Sequence, residues 1–237
     1  MTYCMIAFVA HAQLPWELPV KPGLWDYPVK PGTEEWKQFK SNEEMDKACQ
    51  IPEEVLSSLS TEDLTDLCLR YHSLWDFLFY QNKNAGLDKL FNDFNGIREL
   101  FKRKDVSSSL SKRYMEKIQS ISLLDDKNSD LKIGFFVMSV SVLECLLGRI
   151  EHQGNNLKDV LHSLVAGYEE KIKYPDYFMG RGFQTNFFSR AHIIAKMEPS
   201  FVERLPQKEK NNAMYSGMVS DEQTVELINE LSYQLIK

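Results

Sequence analysis

The segment Tyr174-Pro-Asp-Tyr-Phe-Met-Gly-Arg-Gly-Phe183, followed by Arg190 and His192, is the densest local set of groups able to bind a ligand. Tyr174, Tyr177 and Phe178 offer flat faces on which a sugar or aromatic ring can stack. Arg181 and Arg190 present planar forks that pair with carboxylate or sulfate. With His192 the arginines make up a cationic cluster. The chemistry is recognition of a planar or anionic ligand in a groove. The competing account is a long loop whose aromatics plug the core and whose glycines relieve turns. Gly180-Arg-Gly182 is not a dinucleotide fingerprint, because the preceding strand and the third glycine are missing.

Other constellations are weaker. The histidines are His11, His72, His152, His162 and His192. Asp159 and His162 are three apart and could share a helix face, while Glu151 and His152 lie across a Gly-Asn-Asn turn from them. A metal needs at least three ligands around one point, so these residues read as solvated, and neither a metal nor another cofactor is expected. The chain has no Gly-x-Ser-x-Gly elbow and no His-Glu-x-x-His helix. Asp125-Asp126 and Glu169-Glu170 are adjacent pairs that diverge on a regular helix, and they read as solvated charges.

The elements that must position these groups read as helices. Ser41-Asn-Glu-Glu44 and Ser220-Asp-Glu-Gln223 are capping boxes. Ser60 precedes an acid-rich first turn, and Asn155 or Asn156 caps a helix bearing Leu157, Val160, Leu161, Leu164 and Tyr168. Pro52 suits a first helical position, Asn95-Gly96 marks a break, and Pro175 ends a region. Leu131 to Gly148 is strongly apolar but carries Lys132 and Glu144. Its uninterrupted apolar part is short of the roughly 20 residues a membrane span requires, so it reads as a buried central helix. About ten helices and no hairpin signal follow from this periodicity. The expected fold is all-α: an irregular multi-helix bundle or stacked helical layers behind an extended, proline-rich leader.

The 237 residues suit one large domain or two small ones. The polar run Asp125–Asp130 divides a helical half at 33–124 from one at 131–237, unless both belong to a single domain. Twenty-eight basic residues against thirty-four acidic ones give a net charge of -6, which disfavours a nucleic-acid partner.

The N-terminus suggests a compartment. Tyr3 to Ala10 is an apolar run, and Ala10-His11-Ala12 supplies the small-x-small pattern of a signal-peptidase site. Residues 1–12 then read as the remnant of a signal peptide and Gln13 as the mature start, although no Lys or Arg precedes the apolar run. The alternative is a short apolar tail docked on the fold. Residues 13–32 hold five of the nine prolines and the repeat Pro19-Val-Lys-Pro-Gly23, Pro28-Val-Lys-Pro-Gly32. This segment should be an extended leader whose Trp16, Trp25 and Tyr27 clamp it to the body. Of Cys4, Cys49, Cys68 and Cys145, Cys68 and Cys145 read as small apolar core residues. A Cys49–Cys68 disulfide stays open for an oxidising compartment.

Several stretches carry a resemblance: Pro28–Trp36, Ser41–Met45, Ala48–Leu56, Leu59–Leu64 and Phe91–Leu100. Together, over about residues 28–104, they resemble a family of uncharacterised exported proteins of gut Bacteroidetes. The resemblance implies export from a Gram-negative cell and brings no activity with it.

The expectation is therefore a non-catalytic binding or interaction protein of the cell envelope or periplasm. Its partner would be another envelope protein or a small anionic or sugar-like ligand held between helices. One alternative is a hydrolase with an unrecognised site near Arg181, Arg190 and His192. Another is a structural or oligomerising module. Convergence of Arg190, His192 and acids in one cleft would favour the enzyme. A largely apolar concave surface would favour binding. A broad exposed apolar patch would favour self-association.

Overall fold

The computed structural model describes residues 20–124, 130–151, 156–178 and 181–237, with Arg181 described by its backbone alone. The signal-peptide segment, residues 13–19 with Trp16, the 125–129 loop, His152, Asn155 and Gly180 lie outside the described residues. Among those described there are thirteen α-helices and no strand.

Residues 20–32 are not uniformly extended, contrary to the expectation. Leu24 N donates to Lys21 O (3.1 Å) and Thr33 N to Lys30 O (3.2 Å). Gly23 and Gly32 have φ of 86° and 91°. Each repeat thus folds into the same turn, with proline presetting one corner and glycine accepting the left-handed one. The arm is clamped as expected: Tyr27 is buried and its hydroxyl donates to Leu67 O at 3.0 Å. Trp25 packs edge-on against Tyr27, with ring centroids 5.2 Å apart.

The first helix, α1 (Asn42–Ala48), starts where Ser41 accepts from Glu44 N. The Glu44 carboxylate reaches back to Lys40 N, at 2.7 Å, so the capping box closes one residue early. α2 (Glu53–Ser58) follows Pro52, which caps the helix and is not its first helical residue. α3 (Thr61–Cys68) is capped by Ser60. α4 (Lys83–Asp93) and α5 (Asn95–Leu100) meet at Phe94, whose extended backbone ends one helix and opens the next. A Cβ on Gly96 would lie 2.5 Å from the Phe94 ring, so that glycine makes room for the ring to stack on Tyr71.

The remaining helices are α6 (Val106–Gln119), α7 (Asp130–Gly148), α8 (Leu157–Lys171), α9 (Pro175–Phe178) and α10 (Arg181–Met197), followed by α11 (Phe201–Arg204), α12 (Gln207–Asn211) and α13 (Glu222–Ile236). Asn156 caps α8. Pro175 opens a helix. The cap of α13 is Asp221 and not Ser220: its carboxylate accepts from both Thr224 N and Thr224 Oγ1 at 2.9 Å. A carboxylate at the positive end of a helix gains more than a hydroxyl does.

α6, α7, α8 and α10 pack on one another, α13 closes on α8 and α10, and α3 lies against α5 and α6. One continuous apolar core runs from Tyr27 through Leu67, Leu110 and Val140 to Leu231. By length and composition α7 could cross a membrane. From Val140 to Gly148, however, every residue is buried inside the fold, including Glu144. It occupies the position of a core helix. Cys49, Cys68 and Cys145 are buried free thiols, so the disulfide is absent.

Candidate functional site

The five described residues of the six singled out in the sequence do not share one groove, and the Arg181 side chain lies outside what is described. Tyr174 and Tyr177 stack at the corner of α8 and α9, with centroids 6.0 Å apart and planes 9° from parallel. Phe178 is buried in the core. Arg190 and His192, two residues apart on α10, lie on nearly opposite faces. Arg190 turns toward α13, where its Nε donates to Ser232 Oγ (2.9 Å) and a terminal nitrogen to Ile228 O (3.3 Å). Its guanidinium lies 5.3 Å from the centre of the Tyr168 ring, and burial lowers its pKa to about 10. His192 turns toward α4. Its Nδ1–H donates to Phe188 O (2.9 Å), which leaves Nε2 to accept from Asn84 Nδ2 (3.3 Å). Burial lowers its pKa to about 4, so the ring is neutral near pH 7. The two candidate metal ligands Asp159 and His162 are both exposed on α8.

A polar cluster lies instead inside the four-helix core. Glu144 Oε1 accepts from Tyr114 Oη (2.8 Å), Asn186 Nδ2 (3.0 Å) and Lys171 Nζ (2.6 Å). Its Oε2 accepts from Thr185 Oγ1 at 2.6 Å. Lys171 also donates to Gly182 O at 2.7 Å and lies over the Phe178 ring. Neither charged side chain is exposed. Glu144 on α7 is met by donors from three other helices, so this cluster locks α6, α7, α8 and α10 together. Glycines permit the close approach: a Cβ on Gly167 would lie 1.9 Å from Tyr114 Oη.

A concave surface of about 420 Å³ lies between the arm, α3, α6 and α7. That volume is in the range of small-molecule sites. Two side-chain hydrogen bonds tie α3 to α6: the Thr61 hydroxyl donates to the Asp105 carboxylate at 2.6 Å, and the Thr65 and Ser109 hydroxyls pair at 2.8 Å. The floor is apolar, formed by Leu59, Leu67, Leu74, Trp75, Val142 and Leu143, and the arm supplies Leu24 and Trp25 as a wall.

Charged side chains ring this floor, and most are neutralised. Lys21 pairs with Asp63 at 2.6 Å. Arg113 holds Asp66 with two nitrogens and Glu116 with a third. Two cations are less complete. Arg70, only 5% exposed, donates to Asp26 at 2.9 Å, but its buried Nε has no acceptor. Lys117 rests over the Phe136 ring at 5.0 Å, and no carboxylate of the described residues pairs with it. Burial alone pulls its pKa below the usual lysine value.

No protein-family model, curated protein or solved structure matches this chain. Its chemistry is therefore read from the cleft. Sequence reading missed the cleft because its residues are scattered across positions 20–25, 59–75, 113–120 and 139–143. The visible hint of the buried cluster was a glutamate, Glu144, in an otherwise apolar run.

Proposed function

We propose that this chain is a non-catalytic binding protein of the cell envelope or periplasm that takes a small molecule in the cleft between the arm, α3, α6 and α7. The observation that carries the reading is an apolar floor of ligand-site size bordered by Arg70 and by Lys117, which pairs with no carboxylate of the described residues. The export part of the reading rests on the apolar run Tyr3–Ala10, the Ala10-His11-Ala12 pattern and the Bacteroidetes resemblance.

Binding is favoured over hydrolysis by the state of the best candidate base. His192 has both ring nitrogens engaged, and Arg190 is turned away from it toward α13. A general base must reach the proton it removes, and these two groups are directed to different helices, Arg190 to α13 and His192 to α4.

Native mass spectrometry of the protein recovered from its own cell tests the proposal. The expected spectrum shows one small molecule bound per chain and a polypeptide that begins at Gln13. A bare chain, with no small molecule taken up from an extract of the same cell, would refute the binding function. A polypeptide retaining Met1 would refute export.

A further inference from the structure

We infer that the molecule held in the cleft is an amphipathic carboxylate, with its head group on Lys117 and Arg70 and its apolar body along Leu67, Trp75 and Leu143. This rests on the cleft being the binding site.

The charges around the cleft select the head group. Lys21 and Arg113 are already satisfied by Asp63, Asp66 and Glu116. Arg70 has one carboxylate partner, Asp26, and one buried N–H left over. Lys117 has a ring face and no anion among the described residues. A buried donor without an acceptor is costly, and a partly buried ammonium without a counter-ion is costlier. A carboxylate head group supplies Lys117 with the counter-ion that the described residues lack and lies beside the Arg70 guanidinium in the cleft wall. A cationic head would meet two cations instead.

The floor selects the body. Leu59, Leu67, Leu74, Val142 and Leu143 offer no side-chain hydrogen bonds. Of the lining serines, Ser120 donates to Lys117 O and Ser139 to Phe135 O, so both hydroxyl protons are committed within their own helices. A sugar would leave its hydroxyls unpaired there, which disfavours the sugar-like alternative. A bare inorganic anion would leave the apolar floor unused.

Trp25 and Trp75 line the same space and provide a signal. The full chain is titrated with decanoate, decanol and decyltrimethylammonium, and binding is followed by tryptophan fluorescence. Decanoate should bind at least about tenfold more tightly than decanol, the gain expected of a charge-assisted hydrogen bond. Decyltrimethylammonium should bind most weakly. Lys117→Met, which keeps the apolar stem, should lower decanoate to the level of decanol and leave decanol unchanged. The comparison in the native chain needs no variant and decides the matter if the variant fails to fold.

Equal binding of decanol and decanoate would overturn the carboxylate inference and leave the cleft reading standing. A decanoate preference that survives both Lys117→Met and Arg70→Gln would place the anion elsewhere and overturn the inference too. No response to any of the three amphiphiles would overturn the inference together with the cleft reading.

Discussion

Glu144 on α7 and Lys171 at the end of α8 form an ion pair, 2.6 Å long, with neither side chain exposed. Desolvation pulls the lysine down and the glutamate beside it pulls it back up. Removing one partner of such a pair strands a buried charge, which costs about 3–5 kcal/mol. Glu144→Leu and Lys171→Met should each lower stability by that order, and the double variant should recover much of the loss. Urea denaturation of the three variants checks this. Additive losses would show that the two groups are not coupled.

Two helical glycines, one buried and one exposed, should respond in opposite directions to alanine. At Gly167 the added Cβ falls 1.9 Å from Tyr114 Oη and displaces the donor to Glu144, so Gly167→Ala should destabilise by at least about 2 kcal/mol. At Gly134, inside α7, nothing lies within 4 Å. Gly134→Ala should therefore stabilise by about 0.5–1 kcal/mol through helix propensity. Thermal unfolding of the pair tests both signs.

Acid should weaken the fold through two histidines. His72 and His192 both have their pKa lowered to about 4 from 6.5, in each case chiefly by burial. Above pH 6.5 both are neutral folded and unfolded alike. As the pH falls toward 4, the unfolded chain takes up protons that the folded chain refuses, so stability is lost across that window. Each histidine contributes up to about 3 kcal/mol of this loss. Denaturation midpoints measured across the window should fall steadily, and His192→Gln should flatten the slope. An unchanged slope in both His72→Gln and His192→Gln would refute the assignment.

The cysteines should be inert in the folded protein. Cys49, Cys68 and Cys145 are buried, and desolvation raises the Cys49 pKa to about 12. The thiolate is the reactive form, so iodoacetamide should label none of the three until the chain is unfolded. Intact-mass analysis before and after denaturant reads this directly. Rapid labelling of Cys49 without denaturant would contradict its placement.

Much of the helical fold was legible because its signals are local. An apolar residue every three or four positions defines a stripe, and Ser41, Ser60 and Asn156 cap the amides just downstream of them. Where two capping residues are adjacent, as at Ser220 and Asp221, local chemistry alone does not separate them by one position. The Pro-Gly repeats held a turn signal that the proline content masked. The site was harder to see. Arg190 and His192 are neighbours in sequence and diverge in space, because each helical residue rotates about 100° from the last. Arg70, Lys117 and Trp25 are distant in sequence and meet only when the arm and α6 pack on α3. No local pattern shows that Lys117 pairs with no carboxylate of the described residues, since that depends on where the carboxylates of other segments fall.

A crystal structure of the protein grown with decanoate tests the cleft most directly. The account predicts the chain of the ligand lying along Leu67, Trp75 and Leu143, with its carboxylate within hydrogen-bond reach of Lys117 Nζ and beside the Arg70 guanidinium. Decanoate ordered on another face of the molecule, with this cleft free of it, would contradict the account.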